Sequence, residues 1–381
     1  MDTTIKDISL DFKDRDVDIK AKGEVFSNQI VFSANIVNRI IPPYTINDAD
    51  IYLGNLDVNQ IVKSLDRLDL ESNKNKLPEQ KSSNSNMNIT DLMIKKANVK
   101  AESVLIKNII AKNLNAKISL NEKLLFSVDD FDFNVGNGNI NGNFNYNLLN
   151  SKSALQLQVD EVDANQMAEA LFDLQDQVFG SLTGQVDVTC NGKSHKTCMD
   201  TLGGKGGFSI KDGRMPKLGS LEYLLKAGNL LKSGVTGVTI NSLIDLVTPL
   251  KTGQFENING MFLIKSGFAE DIQIFSKGKD LSLFLTGTYN FSTLVADMNV
   301  FGRISKKISN ILGPVGNTSL NTLFNLIPGF NLDETNKAEF VKNFNKIPGF
   351  ELNDKSYRIF SAEIYGDING ENYVQSFKWV E

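Results

Sequence analysis

Between Leu281 and Arg303 the chain alternates with a period of two residues. Leu281, Leu283, Leu285, Gly287 and Tyr289 hold one parity, continued by Leu294, Ala296, Met298, Val300 and Gly302. Ser282, Thr286, Thr288, Asp297, Asn299 and Arg303 fall mostly on the other. Successive side chains of a strand point to opposite faces, so this pattern describes a sheet with one apolar face and one wet face. The same alternation recurs at Phe131/Phe133/Val135, Ile140/Gly142/Phe144/Tyr146/Leu148, Leu155/Leu157/Val159, Leu182/Gly184/Val186/Val188, Leu202/Gly204/Gly206/Phe208/Ile210 and Ile258/Gly260/Phe262/Ile264. That much one-sided sheet must cover its apolar face with a second layer of the protein or with an apolar ligand.

Composition narrows the classes of function. The 381 residues are 41% apolar, enough for a substantial core. The net charge of −5, with Lys and Arg scattered, lacks the basic footprint of a nucleic-acid binder. No apolar run approaches the ~20 residues of a membrane-spanning helix. The start, Met1 to Lys22, is densely charged and unlike a signal peptide. Because the chain opens within a strand-like segment, Ile5 to Ile19, a further N-terminal portion is expected to precede it.

Residues 1–70 read as strands and turns, and 71–88 as a polar linker or disordered loop of Lys, Asn and Ser with little to bury. Residues 89–381 resume the strand pattern, broken by apolar helical segments near 165–179, 220–231 and 241–250 and by a glycine-interrupted stretch from Ile304 to Phe324. Such helices suit the capping or plugging of a sheet. Two short echoes occur. Leu56-Asp57-Val58-Asn59-Gln60-Ile61 returns as Val162-Asp163-Ala164-Asn165-Gln166-Met167, and Ile327-Pro328-Gly329-Phe330 as Ile347-Pro348-Gly349-Phe350. The first suggests a strand block followed by a helical turn, used twice.

No reaction chemistry assembles. His195, the only histidine, lies in a polar stretch that reads as a turn between Cys190 and Cys198. That stretch allows either a disulfide or two unrelated thiols, and one His with two Cys is too few for a zinc site. Gly203-Gly204-Lys205-Gly206-Gly207 lacks the Lys-Ser/Thr ending of a phosphate loop and runs into a strand, so it reads as a place where another backbone or a ligand passes close. The pairs Asp129-Asp130 and Glu270-Asp271 sit at apparent turns. Neither an enzymatic activity nor a cofactor or metal is expected.

The run Leu182-Thr-Gly-Gln-Val-Asp-Val188, a short loop, and then Thr201-Leu-Gly-Gly-Lys-Gly-Gly-Phe-Ser-Ile-Lys-Asp-Gly213 before an apolar helix resembles the C-terminal region of the AsmA family. That region has a Leu-x-Gly-x-Gly-x-Phe-x-Ile-x-Asp-Gly strand, matched at Leu202, Gly204, Gly206, Phe208, Ile210, Asp212 and Gly213. The likeness extends over roughly residues 90–381. It implies a mainly β protein, an elongated, curved, antiparallel-rich U-shaped groove, related to bridge-like lipid-transfer proteins of the bacterial envelope. The implied partners are phospholipid and the inner and outer membranes, the implied compartment is the periplasm, and the implied tether is an N-terminal inner-membrane helix, which this sequence lacks. In that compartment Cys190 and Cys198 are expected to pair. The groove candidates are Leu283, Leu285, Leu294, Met298, Val300, Phe262, Ile264, Phe208 and Ile210. The competing reading is a structural or scaffolding β-sandwich whose apolar faces meet each other and leave no lipid path.

Overall fold

The computed structural model describes residues 3–25, 28–37, 42–60, 91–172, 176–216, 253–293, 295–306, 356–367 and 374–380. The expected linker 71–88, the helices expected at 220–231 and 241–250, the stretch beyond residue 306 up to Phe324, the paired Ile-Pro-Gly-Phe segments and Leu294 lie outside these residues. The chain is mainly β and antiparallel-rich, with few and short helices. It forms two compact units, Met1–Ala170 with Gln185–Lys193, and Leu171–Gly184 with Ser194–Glu381.

The first unit holds β1 (Thr3–Lys13), β2 (Asp16–Val25), β3 (Asn28–Val37), β4 (Tyr44–Asp57), β5 (Leu92–Ile106), β6 (Ile109–Leu120), β7 (Leu125–Val135), β8 (Gly138–Asn147) and β9 (Lys152–Asp163). Each strand pairs with the next. All these pairs are antiparallel except β4–β5, which is parallel. Tight reversals carry left-handed residues, among them Asp14 (φ 52°), Lys107 (φ 54°) and Gly136 (φ 58°).

Register turns the alternation of single strands into continuous rows. One row runs Leu10, Ile19, Ala34, Ala49, Ala97, Ile118, Val128, Phe144, Leu155, each residue opposite the next. Flanking rows run from Phe12 through Val17, Ile36, Ile46, Ile94 and Leu120 to Phe126, and from Ile8 through Ala21, Phe32, Ile51, Val99 and Ala116 to Phe131. The other face is polar. Across the parallel β4–β5 pair it is stitched by hydrogen bonds at one constant offset of 48 residues: Lys95 Nζ donates to Asn47 Oδ1, Asn98 Nδ2 to Asp50 Oδ1, and Ser103 Oγ to Asn55 Oδ1.

The echo Asp-x-Asn-Gln proves to be one structure built twice. The Asp57 carboxylate accepts from the amides of Asn59 (2.9 Å) and Gln60 (3.3 Å), and Asp163 accepts from Asn165 (2.8 Å) and Gln166 (3.1 Å). Each aspartate ends its strand and satisfies the orphan donors of the helical turn that follows. After Asp163 this turn opens α1 (Ala164–Phe172), which buries Ala164, Met167 and Ala170. The helix is shorter than the expected 165–179, since Asp176 adopts φ 55° and Phe179 already begins a strand. Lys107 Nζ donates to the Ala170 carbonyl, and Asn59 brackets the Lys107 backbone through both its amide nitrogen and its amide oxygen. The most deeply buried side chains of this unit, Ala111, Val135 and Val162, lie at the same end of the sheet.

The second unit holds the first half of β10 (Phe179–Asn191), α2 (His195–Asp200), β11 (Gly203–Arg214), β12 (Gln254–Lys265), β13 (Phe268–Lys277), β14 (Leu281–Asn290), β15 (Val295–Ser305), β16 (Tyr357–Asp367) and β17 (Val374–Val380). From β11 to β17 each strand pairs antiparallel with the next. The expected polar turn between the cysteines is in part a helix. Ser194 Oγ accepts from Thr197 N (3.2 Å) while Thr197 Oγ1 accepts from Ser194 N (3.1 Å), a reciprocal cap that starts α2 at His195 and carries Cys198 into it. The last residue of this helix and the segment just after it hold two turns, because Ser292 Oγ donates to Asp200 Oδ1 (2.9 Å) and Gly267 N donates to Leu202 O (2.9 Å).

Candidate functional site

The second unit's apolar face is assembled strand by strand from its register. Phe208 stands opposite Gly260, Gly260 opposite Ile274, Ile274 opposite Leu285, and Leu285 opposite Val300. A parallel row runs Ile210, Ile258, Ser276, Leu283, Gly302. A third links Ile272, Gly287, Met298 and Ile364, and a fourth links Gly204, Ile264, Ala269, Tyr289 and Ala296. None of these rows contains Asp, Glu, Lys or Arg. Eight of the nine sequence candidates therefore share one face; Leu294 is outside the described residues.

Glycine sets the thickness of this face. A Cβ added at Gly206 would meet the Phe262 ring at 2.4 Å, and one at Gly260 would meet the Phe208 ring at 2.2 Å. Each aromatic ring thus lies over its own cross-strand glycine, Phe262 over Gly206 and Phe208 over Gly260. The glycine run that resembles a phosphate loop only on paper is the floor under an aromatic ring. The same device sits in the first unit, where the Phe131 ring approaches within 3.0 Å of a Cβ placed on Gly142.

Burial along the face is uneven. Ala269, Ile272, Tyr289 and Ala296 form a buried cluster, and Phe262, Ile274, Phe291, Met298 and Ile364 pack against it while staying partly exposed. Ile210, Ile264 and Val300 are buried, whereas Phe208, Phe262, Leu283, Leu285 and Met298 are half-buried. The first unit repeats this arrangement: Ala34, Ala49 and Ala97 are buried, with Phe32, Ile46, Ile94 and Ile118 only partly so. Small residues are covered by their larger neighbours, and the larger ones keep contact with solvent.

The opposite face of the second unit departs from the simple wet reading. Thr288, Asp297 and Asn299 are exposed as expected, but Ser282 is 0% exposed. Its Oγ donates to Gly278 O (3.0 Å) and accepts from Gly278 N (3.2 Å), which explains a hydroxyl at full burial. Phe284 stacks on Phe301 with centroids 6.3 Å apart, and the Arg303 guanidinium lies 4.4 Å over the Tyr357 ring. Both faces are therefore covered near the start of β14.

Ile272, Ile274 and Ile364 belong to the face and were absent from the sequence candidates. Ile272-x-Ile274 shows the right alternation, but a bulge around Asp271 (φ 48°) separates it from Ala269 and breaks the parity. Both cysteines are disulfide-bonded. Cys190 is buried and its Sγ lies 2.9 Å from Ser153 Oγ. Among the described residues there is no cluster of three or more His, Cys, Asp or Glu able to hold a metal ion, and no helix long and apolar enough to cross a membrane. Comparison with family models, with curated proteins and with solved structures gives no match to this chain.

Proposed function

We propose that this protein binds the acyl chains of phospholipids along its apolar sheet faces and passes lipid between the inner and outer membranes of a bacterial envelope, without catalysing a reaction. One observation carries this reading. The face built by Phe208, Phe262, Leu283, Leu285 and Met298 is continuous and free of charge, yet these large side chains are only half-buried. The inner face of a closed sandwich packs about 10 Å from a second sheet and buries such residues fully. Here the extensive contacts between described strands are those of sheet neighbours. Each exposed CH₂ of an acyl chain costs about 0.8 kcal/mol in water, so a half-covered apolar strip of this kind gains by holding one.

The AsmA-like run from Leu182 to Gly213 supports the same reading and supplies the periplasm as its compartment, where a Cys190–Cys198 disulfide is chemically at home. Native mass spectrometry of protein purified from cells tests it. Wild type should carry phospholipid. Leu285→Asp and Met298→Asp should fold and lose it, because an unpaired charge then lies where the chain must rest. Asn299→Asp, on the exposed opposite face, should load normally. Lipid-free wild type, or a folded Leu285→Asp protein loaded as fully as wild type, would refute the proposal.

A further inference from the structure

The rows that build the apolar face of the second unit differ in how far solvent reaches them. The row through Ile264, Ala269, Tyr289 and Ala296 is buried at all four residues, and the row through Ile210, Ile258, Ser276 and Gly302 is buried at all but Leu283. Between these two margins lie the row of Phe208, Ile274 and Leu285 and the row of Phe262, Met298 and Ile364, whose large side chains are only half-buried. The accessible strip is thus two rows wide. Neighbouring rows stand two residues apart along a strand, about 7 Å. Each begins with an aromatic ring laid over its own glycine, which keeps its floor level. From β11 to β16 the rows run across the strands for about 24 Å, at ~4.8 Å per strand step. A bilayer core of about 30 Å is filled by two layers of acyl chain, so one chain occupies about 15 Å.

Taking the acyl-chain binding proposed for this face as given, we propose that the second unit holds one two-chain lipid at a time, its chains laid across the strands, one along the Phe208–Ile274–Leu285 row and the other along the Phe262–Met298–Ile364 row. Two half-covered rows make two lanes. A third chain would have to rest on a margin that the protein already covers, where Ala296 is 0% exposed. A second lipid behind the first would need lanes of about 30 Å, longer than the ~24 Å from β11 to β16. The strip therefore discriminates by the number of chains: it seats two, it admits a single chain on either lane, and it excludes a lipid with four.

Phosphatidylglycerol with a photoactivatable diazirine near the end of an acyl chain, in its two-chain and its one-chain (lyso) forms, tests this on the full chain, with the cross-linked peptides located by mass spectrometry. On wild type both forms should label β11–β16. Leu285→Trp fills one lane without adding charge. Labelling of these strands by the two-chain form should then fall about tenfold or more, since leaving even two CH₂ groups in water amounts to that factor. The one-chain form should still label, now along the Phe262–Met298–Ile364 row. Met298→Trp should do the reverse and confine the single chain to the Phe208–Ile274–Leu285 row. Ile274→Trp blocks the first lane from another strand and serves in place of a Leu285→Trp protein that fails to fold. Unlabelled two-chain phosphatidylglycerol should displace the label from the wild type, and four-chain cardiolipin should not. Two-chain labelling that survives a blocked lane, one-chain labelling that a single blocked lane abolishes, or displacement by cardiolipin would overturn the lanes while leaving acyl-chain binding in place. Wild type labelled by neither form would refute that binding and the lanes with it.

Discussion

Gly287 offers the sharpest test of how tightly the apolar face is built. It sits in β14 opposite Met298, at φ +151°. A Cβ there would lie 2.1 Å from the Asp297 carbonyl oxygen and 2.7 Å from the Met298 Cα, both backbone atoms of the neighbouring strand. Relief requires the two strands to part by roughly 1 Å, at the expense of their ladder hydrogen bonds. Alanine at this φ adds about 1–3 kcal/mol of backbone strain, overpacking adds about 1–3, and the lower entropy of the unfolded chain returns about 0.4–1. Gly287→Ala should therefore destabilise the protein by about 2–5 kcal/mol. Gly206→Ala is the internal comparison. Its nearest clash, at 2.4 Å, is the far end of the Phe262 ring, which can swing away. Its net cost should be about 1 kcal/mol or less, since alanine also suits a strand better than glycine. Urea unfolding followed by far-ultraviolet circular dichroism reads both. If Gly287→Ala came out as mild as Gly206→Ala, the close approach of the two strands would be wrong.

Two further perturbations probe local chemistry. Asp163→Ala removes the acceptor for the Asn165 and Gln166 amides and should cost about 1 kcal/mol, seen as faster hydrogen exchange at those two amides; unchanged protection would dismiss the cap. The Asp18 carboxyl is held below the ordinary carboxylate range, first by the Lys13 ammonium and then by the Asn35 amide that donate to it. A lowered folded pKa means that its stabilising contribution is present above the unfolded-state value and is lost as pH falls through the folded one. Carbon-13 titration should show this depressed midpoint, and Lys13→Ala should move it up. A midpoint at the ordinary value in the wild type would remove the argument.

The strands, and the parity of most face residues, were legible because period-two alternation depends only on which side chains tolerate water. Phe208, Ile210, Phe262 and Ile264 sit where that pattern puts them. What escaped depends on partners distant in sequence. The burial of Ser282 rests on Gly278 closing a local loop around its hydroxyl, and Phe284 escapes solvent by stacking on Phe301 in another strand. The start of α1 was legible in Asp163-Ala-Asn165-Gln166, because a cap is a local interaction. Its end was not, since apolar Val178, next to the start of β10, fits a helical face as well as it fits the approach to a strand. The α2 helix was hidden by its polarity, which resembles that of a turn until the reciprocal Ser194–Thr197 bonds are seen.

The parallel β4–β5 pair has a consequence for the order of folding. Strands β1 to β4 and β5 to β9 are two local hairpin series, each able to form from near neighbours. The junction between them joins residues 48 apart, so the chain must close a far longer loop before that junction earns any stabilisation. It is the natural last step in assembling the unit. The Asn47–Lys95, Asp50–Asn98 and Asn55–Ser103 bonds then act as a vernier: a slip of one residue would break all three together and turn the apolar rows of one series toward water. Two preassembled half-sheets can therefore lock in a single alignment, and only that alignment makes their separate apolar strips one continuous surface.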